Sequence, residues 1–200
     1  MKSMIKDAGI LFAITLIAGL LLGVVYEVTK EPIAVQKALR KNKACKEVFQ
    51  DAANFEYLEL SAPESVSGTG EKAAATVNSV SEARTEDGTV LGYVLDITTH
   101  EGYNGDIQFT MGIRMDGTVN GISLLSIAET PGLGMKAEEV LKPQFAEKNV
   151  GHFTYTKTGA VTSDEIDAIS GATITTNAVV NGVNAGLECF KNELGGGVNE

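Results

Sequence analysis

The chain has 200 residues, 44% of them hydrophobic, with 16 Lys/Arg against 26 Asp/Glu and a formal net charge of -10. That length holds one ordinary domain plus a short appendage, and the acidic balance argues against nucleic acid as a partner. The charge is divided: the first 50 residues carry 8 Lys/Arg against 4 Asp/Glu and the rest carry 8 against 22, so the acidic part is the folded body.

The first element is apolar. Ala8 to Tyr26, AGILFAITLIAGLLLGVVY, is 19 residues without a charge, interrupted mainly by Thr15. At about 1.5 Å per residue a helix of this length comes close to the ~30 Å hydrocarbon core of a bilayer. A buried core helix and a cleaved signal peptide are the alternatives, but a signal peptide calls for an A-x-A pattern after the apolar run, and this chain continues EVTKEPIAVQK. Residues 1–29 are therefore read as an uncleaved single-pass anchor in membrane lipid. Lys2 and Lys6 precede the span, whereas Lys30, Lys37, Arg40, Lys41, Lys43 and Lys46 follow it. Charge counting alone does not orient it, because a whole domain can be translocated regardless of flanking charge.

Pro32 is expected to end or bend the membrane helix, leaving residues 30–54 as a second, amphipathic and lysine-rich helix against headgroups, a partner protein or solvent. Residues 55–200 form the body. Ser61 to Thr76 reads as a loop or insertion from its Ser, Gly and Ala content. From Val77 to Ser126 the pattern alternates, with Asp87-Gly88 and Asp116-Gly117 each set between β-prone runs, which predicts two hairpins joined by HEGYNGD, His100 to Asp106. Glu129 to Gly134 is a Pro/Gly turn, a short helix follows before Pro143, and HFTYTKTG supplies one more strand and a turn. Val179, Val180, Val183, Leu187 and Phe190 recur at helical spacing near the C-terminus. The fold class is α+β: one transmembrane helix, then an antiparallel sheet packed against helices. Cys45 and Cys189 lie outside any C-x-x-C or Cys/His cluster, and His100 and His152 lack ligand spacing, so no metal is expected and the thiols read as packing or incidental.

DAISGATITT, Asp167 to Thr176, opens the last helix. A helix from about Thr175 leaves its first N–H groups unpaired, and Ser170, Thr173, Thr175 and Thr176 are each candidates to cap it. The same amides behind a glycine also favour an anion, especially phosphate. The stretch is neither a P-loop, nor a dinucleotide fingerprint, nor a nucleophile elbow.

DAISGAT, Asp167 to Thr173, resembles the D-x-x-[ST]-G-A-T signature of FMN-binding domains in which flavin is joined through its phosphate to the threonine hydroxyl by a separate ApbE-type flavin transferase. ETPGLG, Glu129 to Gly134, is similar to the second signature of that family. With the N-terminal span and the length, the chain resembles the branch that holds the G subunits of Rnf electron-transport complexes and the C subunits of sodium-pumping NADH:quinone oxidoreductases. The resemblance implies covalent FMN on Thr173, with Thr175 the rival acceptor and Asp167 the acidic position opening the signature. It implies that Ser170, Gly171 and Ala172 form the turn beside the phosphodiester, and that Glu129, Thr130, Gly132 and Leu133 approach the flavin from the adjacent loop. The HEGYNGD loop is similar to a family G-Y-G-G segment but carries Asn104 and Asp106, so no contact is assigned to it; Tyr103, Phe109, Phe145 and Tyr155 could flank the ring, but core packing is the preferred reading for each.

The function so implied is that of a membrane-anchored electron carrier within a translocase coupling ferredoxin:NAD oxidoreduction to ion movement, with its domain on the extracytoplasmic face. Its partners would be the other membrane subunits and the transferase. No catalytic acid–base residues and no stand-alone substrate pocket are expected. The alternatives are the quinone-reducing C-type subunit and an anchored, non-redox sensor or binding domain in which Thr173 only caps the helix.

Overall fold

The computed structural model describes residues 2–59, 65–67 and 73–195. The chain divides into two units, Met1–Arg40 and Lys41–Glu200. Helix α1, Lys2–Val48, begins in the first and ends in the second. Within the first unit, apolar side chains from Met4 to Leu39 are exposed, as a lipid-facing helix requires. Its two threonine hydroxyls are satisfied locally: Thr15 donates to the Phe12 carbonyl at 2.9 Å and Thr29 to the Val25 carbonyl at 2.8 Å.

α1 does not end at Pro32 but runs through it. Proline in a helix removes one N–H donor, so one carbonyl a turn earlier loses its partner while the regular turns on both sides continue. The helix also stops at Val48 instead of reaching Asn54. Cys45 and Val48 in its last turn, and Phe49 and Ala52 just beyond it, pack against Ala83 and Val94. Lys41 and Lys46 make contacts within the domain: Lys41 Nζ lies 2.9 Å from the Asp96 carboxylate and 2.9 Å from Ser79 Oγ, and Lys46 donates to the Ala52 carbonyl.

The body is an antiparallel sheet of strands β1 (Asn54–Leu58), β2 (Ser65–Ser67), β3 (Ala73–Arg84), β4 (Val90–Thr99), β5 (Ile107–Arg114) and β6 (Val119–Ser126). The order is β1-β3-β4-β5-β6, with β2 also paired to β3. Both expected hairpins form. Gly88 and Gly117 adopt φ of 81° and 84°, the left-handed conformation that glycine reaches without a Cβ clash. The loop expected over Ser61–Thr76 is in part strand, since β2 and the start of β3 fall inside it; residues 60–64 and 68–72 lie outside the described residues.

The C-terminal helix α3, Thr173–Glu193, covers one face of the sheet. All five residues of its predicted apolar stripe are buried, in a core shared with Leu95, Ile97, Phe109, Met111 and Ile113. Gly182 and Gly186 allow the close approach: a Cβ there would stand 2.8 Å from Phe109 Cζ and 2.7 Å from Met111 Sδ. The end of α1 covers the opposite face, so β4 is buried on both sides, Tyr93, Leu95 and Ile97 toward α3 and Val94 toward Val48 and Phe49. Cys45 and Cys189 are not joined in a disulfide and belong to these two separate clusters.

Between β6 and α3 the chain forms 3-10 turns at Gly134–Lys136 and Lys142–Phe145 around a short helix α2, Ala137–Val140. It then forms a small parallel pair, β7 (Thr154–Thr156) with β8 (Glu165–Asp167). The sequence does not predict β8, because the three residues EID carry no pattern of their own.

Candidate functional site

Three segments that are distant in sequence converge at the start of α3. The helix begins at Thr173, two residues earlier than its periodicity predicts. Ala172 holds the N-cap position and makes no side-chain capping bond. The first-turn N–H groups therefore lack a side-chain acceptor, although four hydroxyl residues stand nearby.

Each of the candidate caps does something else. The Thr176 hydroxyl donates back to the Ala172 carbonyl at 3.0 Å and accepts the Ile169 N–H at 3.1 Å, which closes the turn from inside. The Thr175 hydroxyl, 1% exposed, donates to Glu129 Oε2 at 2.8 Å. Ser170 is exposed and Thr173 half-buried, and neither side chain makes a hydrogen bond with the described residues.

Glu129, 5% exposed, is the meeting point. Its other oxygen, Oε1, accepts the Asn104 N–H at 3.1 Å, while the Asn104 side chain donates to the Ala128 carbonyl at 2.8 Å. The HEGYNGD loop is thus tied to ETPGLG, and ETPGLG to α3. The loop is fastened a second time where Asn181 of α3 donates to Glu101 at 2.6 Å. Gly134 makes the arrangement possible, since a Cβ there would fall 2.6 Å from Thr175 Oγ1 and 2.7 Å from Glu129 Cβ.

These segments enclose an open groove of about 500 Å³. Of the residues singled out from sequence, Glu129, Thr130, Leu133, Gly171, Ala172, Thr173 and Thr175 line it. Gly132 turns the loop at φ 78° and Ser170 sits on the exposed turn, both outside the lining. Asp167 is also outside. Its carboxylate accepts the Ala160 N–H at 2.6 Å, and its backbone is held by Gln144, which accepts the Asp167 N–H at 2.7 Å and donates to its carbonyl at 3.1 Å.

Phe109 and Phe145 are fully buried and Tyr155 packs against the core, as assigned. Tyr103 is not core: it is 69% exposed and lines the groove. Ile174, 53% exposed in the first turn of α3, lines it too. Its signal was legible, because an apolar residue at 174 falls off the stripe that begins with Val179. Gln144 and Asn104 had no such signal, since their roles depend on what stands opposite.

The family model described as FMN-binding domain matches residues 102–188, and the one described as RnfG N-terminal region matches residues 1–48. The G subunit of the Na(+)-translocating ferredoxin:NAD(+) oxidoreductase complex of Acetobacterium woodii is 33% identical over 96% of this chain and 93% of its own. The chain belongs to the family of Rnf G subunits. The G subunit of the ion-translocating oxidoreductase complex of Methanosarcina acetivorans is 30% identical over 94% of each chain. That of the proton-translocating ferredoxin:NAD(+) oxidoreductase complex of Clostridium ljungdahlii is 30% identical over 96% of this chain and 97% of its own. The crystal structure of Shewanella oneidensis NqrC matches 72% of this chain and 70% of that one, with a TM-score of 0.49 and 18% identity.

The groove of this family member fits FMN on its own chemistry. The uncapped start of α3 suits a phosphate, Leu133, Ile174 and Tyr103 offer apolar surface to a ring system, and Gly134 and Gly171 keep backbone close where side chains would intrude. When bound, FMN supplies the redox chemistry.

Proposed function

We propose that the chain is the membrane-anchored flavoprotein subunit of an Rnf-type complex, carrying electrons between neighbouring subunits through FMN joined as a phosphoester to Thr173. The observation that carries this reading is the contrast between two hydroxyls at the helix start. Thr173 lines the groove with its hydroxyl unbonded, whereas Thr175 is buried and donates to Glu129. That contrast favours Thr173 over its rival as the acceptor.

The chain's own groups then have separate tasks. The first-turn amides of α3 face the phosphate, where the helix dipole favours negative charge. Gly171, at φ 77°, turns the backbone beside it, and Thr130 and Leu133 line the same groove. Ala8–Tyr26 holds the domain at the membrane, and a covalent bond retains the cofactor on the extracytoplasmic face, where FMN cannot be replenished. The ApbE-type transferase is the maturation partner and the other membrane subunits are the redox partners. Near-full-length similarity to G subunits favours this role over the C-type subunit of a sodium-pumping quinone reductase and over a non-redox sensor.

The test is co-expression of the full chain with an ApbE-type transferase, read by intact mass and in-gel flavin fluorescence. Thr173→Ala is expected to lose both signals while Thr175→Ala keeps them. Loss only in Thr175→Ala moves the site, and an unmutated chain without covalent flavin returns Thr173 to a purely structural role.

A further inference from the structure

The groove has an unusual charge composition for a site that takes a phosphate-bearing cofactor. Among the described residues no Lys, Arg or His lines it, and the one charged side chain in its wall is Glu129, an acid. This carboxylate is 5% exposed and held at both oxygens, by the Asn104 N–H and the Thr175 hydroxyl. Gly134 packs against it so closely that a Cβ there would come within 2.8 Å of Oε2. The charge is therefore fixed in place and shielded from counterions.

We infer that Glu129 sets the reduction potential of the flavin carried in this groove, by keeping one immobile negative charge on a wall that has no compensating cation. The inference rests on the flavin-carrier reading above. In reduction, two electrons enter from a reductant, dithionite in the assay, and when one proton follows from water one negative charge is added to the groove. A fixed carboxylate opposes that added charge. The groove is no larger than about 500 Å³, so a group filling it stays near Glu129. Coulombic coupling at such range is strong when both charges are away from bulk water, and salt screens it little.

Three substitutions separate charge from packing. Glu129→Gln removes the charge at nearly constant size. Glu129→Asp keeps the charge with a shorter reach. Thr175→Val keeps the charge and removes the hydroxyl that partly offsets it.

The experiment is a potentiometric titration, followed by flavin absorbance, of the full chain loaded by co-expression with the transferase. Glu129→Gln is expected to shift the oxidised-to-reduced equilibrium threefold or more toward reduced flavin, about 14 mV upward for a two-electron couple. Glu129→Asp is expected to stay within threefold of the unmutated chain. A Glu129→Gln shift that is downward or smaller than threefold overturns the inference, as does a Glu129→Asp shift as large as that of Glu129→Gln, which would make packing the cause. Should Glu129→Gln fail to fold or load, Thr175→Val decides: movement toward oxidised flavin supports the inference, and no movement or the reverse overturns it. An unmutated chain that takes no flavin defeats the carrier reading itself, whereas a loaded chain with an unmoved potential defeats only the role of Glu129.

Discussion

The side-chain amide of Gln144 pairs with the backbone of Asp167 as a neighbouring strand would, accepting its N–H at 2.7 Å and donating to its carbonyl at 3.1 Å. Through this pair the turn that follows the ETPGLG loop holds the strand that leads into DAISGAT. Glu129 and Thr175 tie the same two motifs on the groove side. The region of the two signature motifs is thus held at two points, by residues of which Glu129 and Asp167 belong to the motifs and Thr175 to the helix start that follows.

Replacing Gln144 with alanine removes both bonds to Asp167 and a third, from Nε2 to the Val140 carbonyl at 2.6 Å. At about 1 kcal/mol net per hydrogen bond, a loss of roughly 1–3 kcal/mol in stability is expected. Gln144→Glu keeps the acceptor but not the donor, and should fall between alanine and the unmutated chain. Urea melts of the three proteins check the order; equal midpoints would show that the clamp contributes nothing.

Two glycines of one loop should respond differently to alanine. At Gly134 the new Cβ would meet Thr175 Oγ1 at 2.6 Å and Glu129 Cβ at 2.7 Å, so Gly134→Ala must push apart the bond that joins the motifs. Overpacking of this kind costs roughly 1–3 kcal/mol, and covalent flavin content is expected to fall with it. At Gly132 the Cβ would enter open space, and the cost is confined to the left-handed φ of 78°, about 1 kcal/mol. Flavin content per folded chain separates them: Gly132→Ala should load like the unmutated protein. Equal loading in both variants would remove the argument from close approach.

One acid in a hairpin turn links stability to pH. Asp116 Oδ1 accepts the Thr118 N–H at 2.9 Å, and that backbone bond holds its carboxyl below the ordinary 3.8. A value lower in the fold than in the unfolded chain means stability that is present above the unfolded value and lost as pH falls through the folded one. Asp116→Asn preserves an acceptor and removes the linkage. Thermal melts in a buffer series from neutral to acid should show the gap between the two proteins greatest near neutrality and closing below 3.8. A gap that is constant across the series would assign the difference to geometry instead of charge.

The elements read without the structure are those whose cause is local. Asp87-Gly88 and Asp116-Gly117 specify tight turns within a few residues, and the alternation on either side sets strand register, so both hairpins appear where predicted. The stripe from Val179 to Phe190 identifies the face of α3 that is buried. Where a local rule met a nonlocal demand, the rule gave way. Pro32 does not stop α1, the end of α1 and the residues just after it pack on the sheet through Val48 and Phe49, and the hydroxyls suited to capping α3 leave the cap to Ala172.

By itself, the sequence determined the composition of this molecule: an apolar span, an antiparallel sheet, a covering helix, and two motifs that resemble those of a flavin-binding family. Periodicity and turn chemistry act over a few residues and need no partner to be read. Only the tertiary structure decided which residues meet. It chose Glu129 as the partner of Thr175 across 46 residues, put Tyr103 and Ile174 on the groove, and turned Asp167 away toward Gln144. A hydrogen bond depends on where two atoms end in space, and that is fixed by how α3 and the loops pack on the sheet.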